Sequence, residues 1–350
     1  MTKRFTALLL CIVMIAAVLV GCGGSSAAPS AAPSAAPSAA PSAAPAESKA
    51  PEAAPAVEFP TKYMDFIIGF SAGTGADTNG RLICSIAEKF LGQSIAVTNK
   101  DGAGGALAYS FVAAADPDGY VMSYNSNSQS IAHYNGNMAE TYEDFKQVCR
   151  LTQEDNVVAV AANSPWQTLE DLVAATKAEP GKYICSNGGI GGFNHLAAAA
   201  LENAIGTTFQ HIPLGGGDQI TAMKSGEVHF GVASYANYAP YVDSGDVRIL
   251  ATLGENSPAN NPEIPTAVSC GYDVTMSMYR GISVPKDTPD EVVAILADAF
   301  KQASESDEYK EFTAKNNMVL AYMGPEEFSE YVKEDDANIK VIMENIGLIK

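Results

Sequence analysis

Short apolar runs and stretches of helical periodicity alternate along most of the chain. The first pair consists of residues 66–68, an apolar run rich in β-branched side chains, and residues 78–91, where apolar side chains recur in pairs three to four positions apart. A loop with three glycines, residues 69–77, separates them. The pattern predicts a strand, a glycine loop and a helix, in that order.

This glycine loop has the composition of an anion-binding turn. Glycine lets the backbone approach a ligand closely, and the first turn of a helix offers N–H groups without intrahelical partners at the positive end of the helix dipole. We expect Asp77 to be the N-cap residue of the following helix, because a short acidic side chain suits that position. The loop is therefore predicted to bind a small anion.

The same order of elements returns in the second half of the chain. An apolar run at 183–185 leads into the glycine-rich segment 186–195 and then into an apolar helical stretch, 196–201. Further glycine runs lie at 101–105 and 215–217. Strands that alternate with helices predict an α/β fold with parallel sheets, whose ligands bind beside the carboxyl ends of the strands. Two glycine turns, one from each half, are thus predicted to clamp one anion.

The first 58 residues are not predicted to join a folded core. Two basic residues precede an apolar run that ends at Leu19-Val20-Gly21-Cys22, which resembles a bacterial lipoprotein signal. Residues 1–22 are therefore predicted to be a signal peptide, with Cys22 as the lipidated residue. Residues 23–58 are mostly alanine, proline and serine, with four tandem Ala-Ala-Pro-Ser units, and are predicted to be a disordered tether. The remainder is long enough for two lobes.

Charge and composition exclude several classes of partner and cofactor. The chain carries a net charge of −19, which disfavours nucleic acid and anionic lipid as partners. The four histidines and the four cysteines beyond the signal lack the spacing of a metal site, so neither a metal nor another cofactor is predicted. Those cysteines are either buried thiols or include one disulfide, and the sequence leaves both open: Cys84, Cys149, Cys185 and Cys270.

One catalytic motif competes with the binding interpretation. Gly69-x-Ser71-x-Gly73 matches the nucleophile elbow of α/β-hydrolases, which predicts an extracytoplasmic serine hydrolase as the alternative. Its candidate bases are His195, His211 and His229. Against it, the elbow needs several preceding strands, whereas this loop follows the first strand of the globular part. The dinucleotide-binding and Walker motifs are not matched by this loop.

Seven short motifs occur in an order typical of one family. They are Gly69-Phe70-Ser71-Ala72-Gly73-Thr74-Gly75-Ala76-Asp77 and the runs at 99–105, 115–120, 180–183, 195–197, 245–251 and 285–289. Together they resemble the substrate-binding proteins of tripartite tricarboxylate transporters, over about residues 59–350. The resemblance implies a two-lobed periplasmic binding protein fold of type II, in which each lobe is a sheet flanked by helices and the chain crosses between the lobes twice.

The resemblance also implies lobe boundaries and a ligand site. The first lobe would comprise residues 59–158 and 283–350 and the second lobe residues 159–282, with a small organic carboxylate bound between them. The implied ligand-binding residues come from the two glycine loops: Ser71, Ala72, Gly73, Thr74, Gly75, Asp77, Ser186, Asn187, Gly188, Gly189, Asn194 and His195. The chain departs from the family at 192–194, where hydroxyl residues are usual, and at 214–216, where Tyr-Lys-Gly is common.

The resulting prediction is an extracytoplasmic solute-binding receptor without enzymatic activity, anchored through Cys22 to the outer face of the cell membrane. Its monomeric head would close by a hinge motion and deliver the carboxylate to a large and a small multi-spanning transporter subunit. A sensor that binds the ligand without transport is a further alternative. His195 is either a ligand contact or a packing residue. Arg81 and Arg280 are the nearest candidate cations, although an arginine one turn into a helix more often pairs with a carboxylate.

Overall fold

Strands and helices alternate through the part of the chain that the computed structural model describes, residues 57–349. The predicted signal peptide, Cys22 and the tether up to residue 56 lie outside the described residues. The strands are β1 (Met64–Ile68), β2 (Ile95–Asn99), β3 (Val121–Asn125), β4 (Phe145–Ala161), β5 (Ile184–Ser186), β6 (Gln210–Ile212), β7 (Phe230–Ser234), β8 (Val247–Thr252), β9 (Ser277–Pro285) and β10 (Val319–Met323). The helices are α1 (Gly75–Leu91), α2 (Ala106–Ala113), α3 (Ser128–Tyr134), α4 (Leu169–Ala178), α5 (Phe193–Ile205), α6 (Gly216–Ser225), α7 (Tyr235–Asp243), α8 (Asp290–Ser304), α9 (Asp307–Lys315) and α10 (Pro325–Asn345).

One long strand, β4, takes part in two sheets. The strand order is β2-β1-β3-β9-β4-β7-β5-β6, with β10 and β8 as further partners of β4. Residues 145–155 of β4 pair with β9, and residues 156–161 pair with β7 and β8. The strands β1, β2 and β3 are parallel to one another, as are β5, β6 and β7. The chain enters the second sheet along β4 and returns between β8 and β9, which confirms the predicted α/β fold with two crossings.

Each sheet has its own apolar core. The helices α1 and α8 pack on the first sheet, where Ile83 and Phe300 are fully buried against Phe66 of β1. In the second sheet, α4 and α5 cover one face and α6 and α7 cover the other. The C-terminal helix α10 packs on both sides of the junction, because Phe328 contacts β9 while Met343 joins the core around α5. The lobe boundaries at 59–158, 159–282 and 283–350 stay predictions.

The hydrophobic pattern of the sequence does not predict α3 or the first half of β4, because tertiary packing buries polar side chains of these elements. The helix α3 lies partly inside the polar run 125–130, and its residues Gln129 and Ser130 are buried. In the first half of β4, Gln147 and Thr152 are likewise buried among apolar neighbours. Sequence periodicity detects a strand when polar residues mark its solvent face, and β4 has little such face.

The described residues contain neither a membrane-spanning helix nor a ready metal site. No helix between residues 57 and 349 has the length and apolar character needed to cross a bilayer. In the same range, no cluster of three or more histidine, cysteine, aspartate or glutamate side chains is arranged to bind a metal. The four cysteines between residues 57 and 349 are free thiols, and three of them are buried.

Candidate ligand-binding site

The first glycine loop connects β1 to α1 and touches the next glycine run. Its backbone turns at Gly73, whose φ of +83° disfavours any side chain. Gly69 approaches the run at 101–105 so closely that a Cβ there would lie 2.8 Å from Cα of Gly105. The hydroxyl of Ser71 donates to Asp101. The predicted site residues from Ser71 to Gly75 are exposed at this edge of the sheet.

The cap of α1 differs from the prediction. The helix begins at Gly75, and Oγ1 of Thr74 accepts the N–H of Asp77 at 3.3 Å, so Thr74 is the N-cap residue and the prediction for Asp77 is wrong. Asp77 lies in the first turn with 4% of its surface exposed. Its carboxylate accepts from the N–H of Gly73 at 2.9 Å, from Nδ2 of Asn99 at 2.8 Å and from Nε of Arg81 at 2.9 Å. Asp77 therefore holds the loop together.

These contacts fix the charge of Asp77. Burial by itself raises the pKa of its carboxyl, but the hydrogen bonds from Gly73 and Asn99 and the charge of Arg81 lower that pKa, on balance, below 3.8. The carboxylate is thus ionised at neutral pH and directed into its own loop. The side chain of Asp77 therefore gives an anion at this loop no attractive charge.

Both candidate cations are already paired. Arg81 also donates from Nη2 to Oδ1 of Asn99 at 2.7 Å, so its guanidinium is occupied by Asn99 and Asp77, as expected for an arginine one turn into a helix. Arg280 is mostly buried and donates from Nε to Oε1 of Glu154 at 2.9 Å. It lies 6.0 Å from the ring centre of Phe70, beside the first glycine loop. Each arginine is therefore paired with a carboxylate, while Nη1 of Arg81 and both Nη atoms of Arg280 have no hydrogen bond to another described residue.

The second glycine loop connects β5 to α5 and lacks a side-chain cap. Gly192 is the N-cap residue, and no side-chain hydrogen bond closes the helix start. The first N–H groups of the 13-residue helix therefore have no intrahelical partner. Asn187 is buried, and its Oδ1 has no hydrogen-bond partner among the described residues. A Cβ on Gly188 would lie 3.5 Å from Nδ2 of Asn194, which places that side chain over the loop.

Ser186 and Asn187 point to opposite faces of the second sheet. Ile184, two residues before Ser186, packs in the core formed with α6 and α7, so the side chain of Ser186 faces that side. Its hydroxyl is buried without a partner among the described residues. Asn187 bonds to His211, on the side covered by α5. The structure thus brings Asn187, Gly188, Gly189, Asn194 and His195 together around one helix start and leaves the side chain of Ser186 behind them.

His195 belongs to a small polar group beneath the second loop. Its Nδ1 accepts the N–H of Gly191 at 3.1 Å. Its ring packs edge to face against the ring of His211, with 4.8 Å between the two ring centres. Nε2 of His211 lies 3.2 Å from Oε2 of Glu202 on α5. Only 7% of the His195 surface is exposed. Of the two alternatives for His195, the observed contacts are those of a packing and loop-holding residue.

The polar run after β3 bonds to α10, and the residue that follows α3 lies beside the second loop. Nδ2 of Asn127 donates to both carboxylate oxygens of Asp335 on α10, at 2.8 Å each. Asn135, directly after α3, lies beside Gly191, since a Cβ on Gly191 would be 3.7 Å from Oδ1 of Asn135. Within residues 57–349, no hydrogen bond or ion pair joins the predicted residues of the first loop to those of the second.

Several polar residues near the junction carry no motif in the sequence. Gln129 in α3 and Asn156, where β4 passes from one sheet to the other, are each 1% exposed, and both polar atoms of each amide lack partners among the described residues. A cavity of about 220 Å³ also opens between Tyr235 at the start of α7 and Met318 before β10. Nδ2 of Asn79 contacts Sδ of Met318 at 3.4 Å, which places the cavity near α1. Only the tertiary fold assembles these groups, so sequence spacing could not find them.

The contacts of Ser71 do not support the hydrolase alternative. A serine nucleophile needs a base within hydrogen-bond reach, whereas the Ser71 hydroxyl donates to Asp101. His195 and His211 bond to the second glycine loop, and His229 accepts the N–H of Ile184 at 3.0 Å. Among the described residues, no histidine bonds to Ser71.

The sequence profile of the tripartite tricarboxylate transporter family receptors matches residues 80–348. This chain belongs to that receptor family. The match begins just after the first glycine loop and includes the whole of the second. Receptors of the family are extracytoplasmic solute-binding proteins, which confirms the predicted family, the receptor function and an extracytoplasmic location.

Individual relatives agree with this assignment. The UPF0065 protein in the gbd 5′ region of Cupriavidus necator is 32% identical over 297 residues, which cover 84% of this receptor and 90% of that protein. The crystal structure of a TctC solute-binding protein from Polaromonas, without ligand, has a TM-score of 0.77 at 30% identity and covers 82% of this receptor and 99% of that chain. MatC from Rhodopseudomonas palustris, solved with bound malate, shares the fold with a TM-score of 0.66 at 23% identity, over 81% and 99% of the two chains.

Proposed function

We propose that this receptor captures a small organic carboxylate between its two glycine loops and that the start of α5 is its main anion-binding element. The observation that carries the proposal is the bare N-terminus of α5, where Gly192 supplies no side-chain cap. A helix N-terminus carries roughly half a positive charge, and its free N–H groups suit a carboxylate. The anion then needs no formal cation, in keeping with the pairing of Arg81 and Arg280 to Asp77 and Glu154.

The remaining predicted residues receive distinct roles under this proposal. The backbone of Ser71, Ala72, Gly73, Thr74 and Gly75 would approach the ligand from the first lobe, while Asp77 keeps that loop in shape. Gly188, Gly189 and Asn194 would approach it from the second lobe. Closure over the crossings would then bring the two groups together.

Anchoring and delivery complete the proposal. The head would be attached through a lipid on Cys22, with residues 23–58 as the tether, and would hand its ligand to a large and a small membrane subunit without catalysing a reaction. Mass spectrometry of the N-terminal peptide of the membrane-bound protein should show Cys22 as the first residue with a lipid attached, and Cys22→Ser should lose that lipid. A membrane-bound protein whose N-terminal peptide carries no lipid would refute the lipid anchor.

The ligand is tested with a carboxylate panel. The chain from residue 22 onward, as Cys22→Ser, is unfolded and refolded to remove any bound solute, and its thermal unfolding is followed with malate, succinate, citrate, glutamate and benzoate. A ligand at 100 times its dissociation constant stabilises the folded state by about 2.7 kcal/mol, which raises the melting temperature by a few degrees. Failure of every acid in the panel to raise it would count against carboxylate binding.

A serine variant separates the receptor from a hydrolase. Ser71→Ala should keep its fold and bind the acid that stabilises the parent with an affinity changed by only a few-fold, because the proposed contacts at this loop are backbone N–H groups. The same pair of proteins is assayed with p-nitrophenyl acetate. Ester cleavage by the parent that is lost in Ser71→Ala would establish the hydrolase instead.

A further inference from the structure

Two histidines fasten both ends of the second glycine loop. The N–H of Gly191 donates to Nδ1 of His195 at 3.1 Å, and Nδ2 of Asn187 lies 2.7 Å from Nδ1 of His211. The two rings touch edge to face, and Nε2 of His211 lies 3.2 Å from Oε2 of Glu202. The segment 187–191 therefore begins and ends on the same pair of rings.

The loop donor fixes the tautomer of His195 and suits one tautomer of His211. A backbone N–H can only donate, so Nδ1 of His195 is the unprotonated acceptor, whereas the donor and acceptor of the Asn187–His211 contact depend on the tautomer of His211. In neutral His195 the proton is then on Nε2. In His211 the same tautomer directs Nε2–H at Glu202, which suits the observed contact. With these tautomers, both rings direct an acceptor at the loop.

We propose that His195 and His211 are positioning residues that hold segment 187–191 in the shape that leaves the start of α5 open to an anion, and that protonation of His195 releases this segment. A proton on Nδ1 of His195 turns the acceptor into a donor that faces the N–H of Gly191. The bond is then lost and replaced by repulsion. Because Gly191 precedes the N-cap Gly192 by one residue, its release changes the loop directly at the proposed anion site.

The surroundings of His195 favour the neutral form. The titratable groups that act on it are His211 on β6 and Glu202 on α5. The core on the α5 side of the second sheet contains apolar side chains from β7 and α10, among them Phe230 and Met343, and the buried thiol of Cys185 on β5, whose pKa is raised by burial. Burial and, to a lesser degree, His211 lower the pKa of His195 below 6.5, although Glu202 opposes them.

The sign of the pH effect follows from this lowered pKa. The unfolded chain takes up a proton at His195 near pH 6.5, whereas the folded protein resists it until a lower pH. The contribution of His195 to stability is therefore complete above pH 6.5, decreases as the pH falls below that value, and stops changing below the pKa of the folded state. The loop itself is released when the folded protein is protonated.

The hold of His195 and His211 on segment 187–191 is called the clamp below. Two isosteric variants of His195 test it through the exchange of one amide, the N–H of Gly191. Asparagine places its Oδ1 near the position of Nδ1, whereas glutamine places its Oε1 near the position of Nε2. In hydrogen exchange resolved to Gly191 at pH 8, His195→Asn should keep the protection of that N–H, and His195→Gln should lower it about tenfold, the typical effect of losing one hydrogen bond. In the parent protein, protection relative to the intrinsic exchange rate should also fall on acidification, and His195→Asn should abolish that dependence.

A matched control lies at the other end of β5. Nδ1 of His229 accepts the N–H of Ile184 at 3.0 Å, so His229→Gln removes the same kind of bond without touching the glycine loop. It should leave the exchange of Gly191 and its pH dependence unchanged. Equal protection of Gly191 in the parent and in His195→Gln would overturn the clamp. The clamp would also be overturned if His195→Gln kept the protection of the Gly191 N–H and His195→Asn lost it, because Nε2 of His195 would then be the hydrogen-bond acceptor.

The binding readout rests on the proposed function and is kept separate from the exchange readout. Malate affinity should be about tenfold weaker in His195→Gln than in the parent at pH 8, and near the parent value in His195→Asn. If the parent binds neither malate nor any other acid of the panel, the proposed function fails, whereas Gly191 exchange still decides the clamp. If both variants bind malate as tightly as the parent does, the loop shape has no effect on binding and that part of the inference is wrong.

Discussion

The two glycine loops have the same order of elements but are stabilised in different ways. The first is held by charged and hydroxyl side chains close to it in sequence: Thr74 caps α1 and Asp77 gathers Gly73 and Arg81. The second begins an uncapped helix, and two imidazoles bond to the ends of the loop. A side chain of the first loop thus caps one N–H of its helix start, while no side chain caps the helix start of the second. A repeated sequence pattern therefore does not imply repeated chemistry.

The largest effect should come from removing the charge that organises the first loop. Asp77→Ala deletes three hydrogen bonds to a buried carboxylate and leaves Arg81 without its ion pair. We expect the free energy of unfolding to fall by about 2 kcal/mol, since bonds to charged groups each contribute more than neutral ones. Urea denaturation measures this difference. Asp101→Ala is the control, because Asp101 is exposed and should cost less than about 0.5 kcal/mol. Equal costs for the two variants would show that Asp77 does not organise the loop.

A smaller effect is expected from the cap of the same helix. Thr74→Ala removes the oxygen that accepts the N–H of Asp77 and should lower the free energy of unfolding by about 1 kcal/mol. Thr168→Ala is the matched variant, because Thr168 caps α4 in a complete capping box away from both loops. Both should shift the denaturation midpoint by similar amounts. A shift for Thr168→Ala alone would mean that Thr74 contributes little to α1.

The smallest change in stability is predicted at the second loop. The hydroxyl of Ser186 is buried without a partner among the described residues, so Ser186→Ala removes a polar group that contributes no such bond. The free energy of unfolding should stay the same or rise by a few tenths of a kcal/mol. Differential scanning calorimetry of the ligand-free protein tests this. A loss of 1 kcal/mol or more would show that the hydroxyl is bonded in solution, and the contrast between the loops would then be weaker.

Local patterns in the sequence predict those parts of the structure that local interactions decide. Thr168 and Asp171 form a capping box at α4 with the spacing that marks such a cap in a sequence, and both glycine loops follow strands as predicted. Thr74 and Asp77 are both good N-cap residues, so sequence alone cannot choose between them. Their roles are decided by Asn99, which lies 22 residues after Asp77 and bonds to its carboxylate. That choice depends on the pairing of β1 with β2.

The candidate site was harder to predict than the fold for a related reason. The role of His195 depends on Gly191, four residues before it, and on His211, which meets it only when β5 and β6 are paired. The amides of Gln129 and Asn156 stand out only because they are buried at the junction without hydrogen-bond partners among the described residues. The burial of a polar residue leaves no local pattern in the sequence. The spacing of residues in the sequence therefore predicts where the loops lie, whereas most side-chain contacts within the site depend on long-range packing.

The continuity of β4 limits how this protein can be dissected. A fragment that ends before residue 145 would lack the strand on which β9 and β10 pair, and a fragment that begins after residue 161 would lose the partner of β7 and β8. Neither half is therefore a self-sufficient expression product. Chimeras that exchange one half between two receptors have to carry β4 intact, and new termini for circular permutation belong elsewhere in the chain.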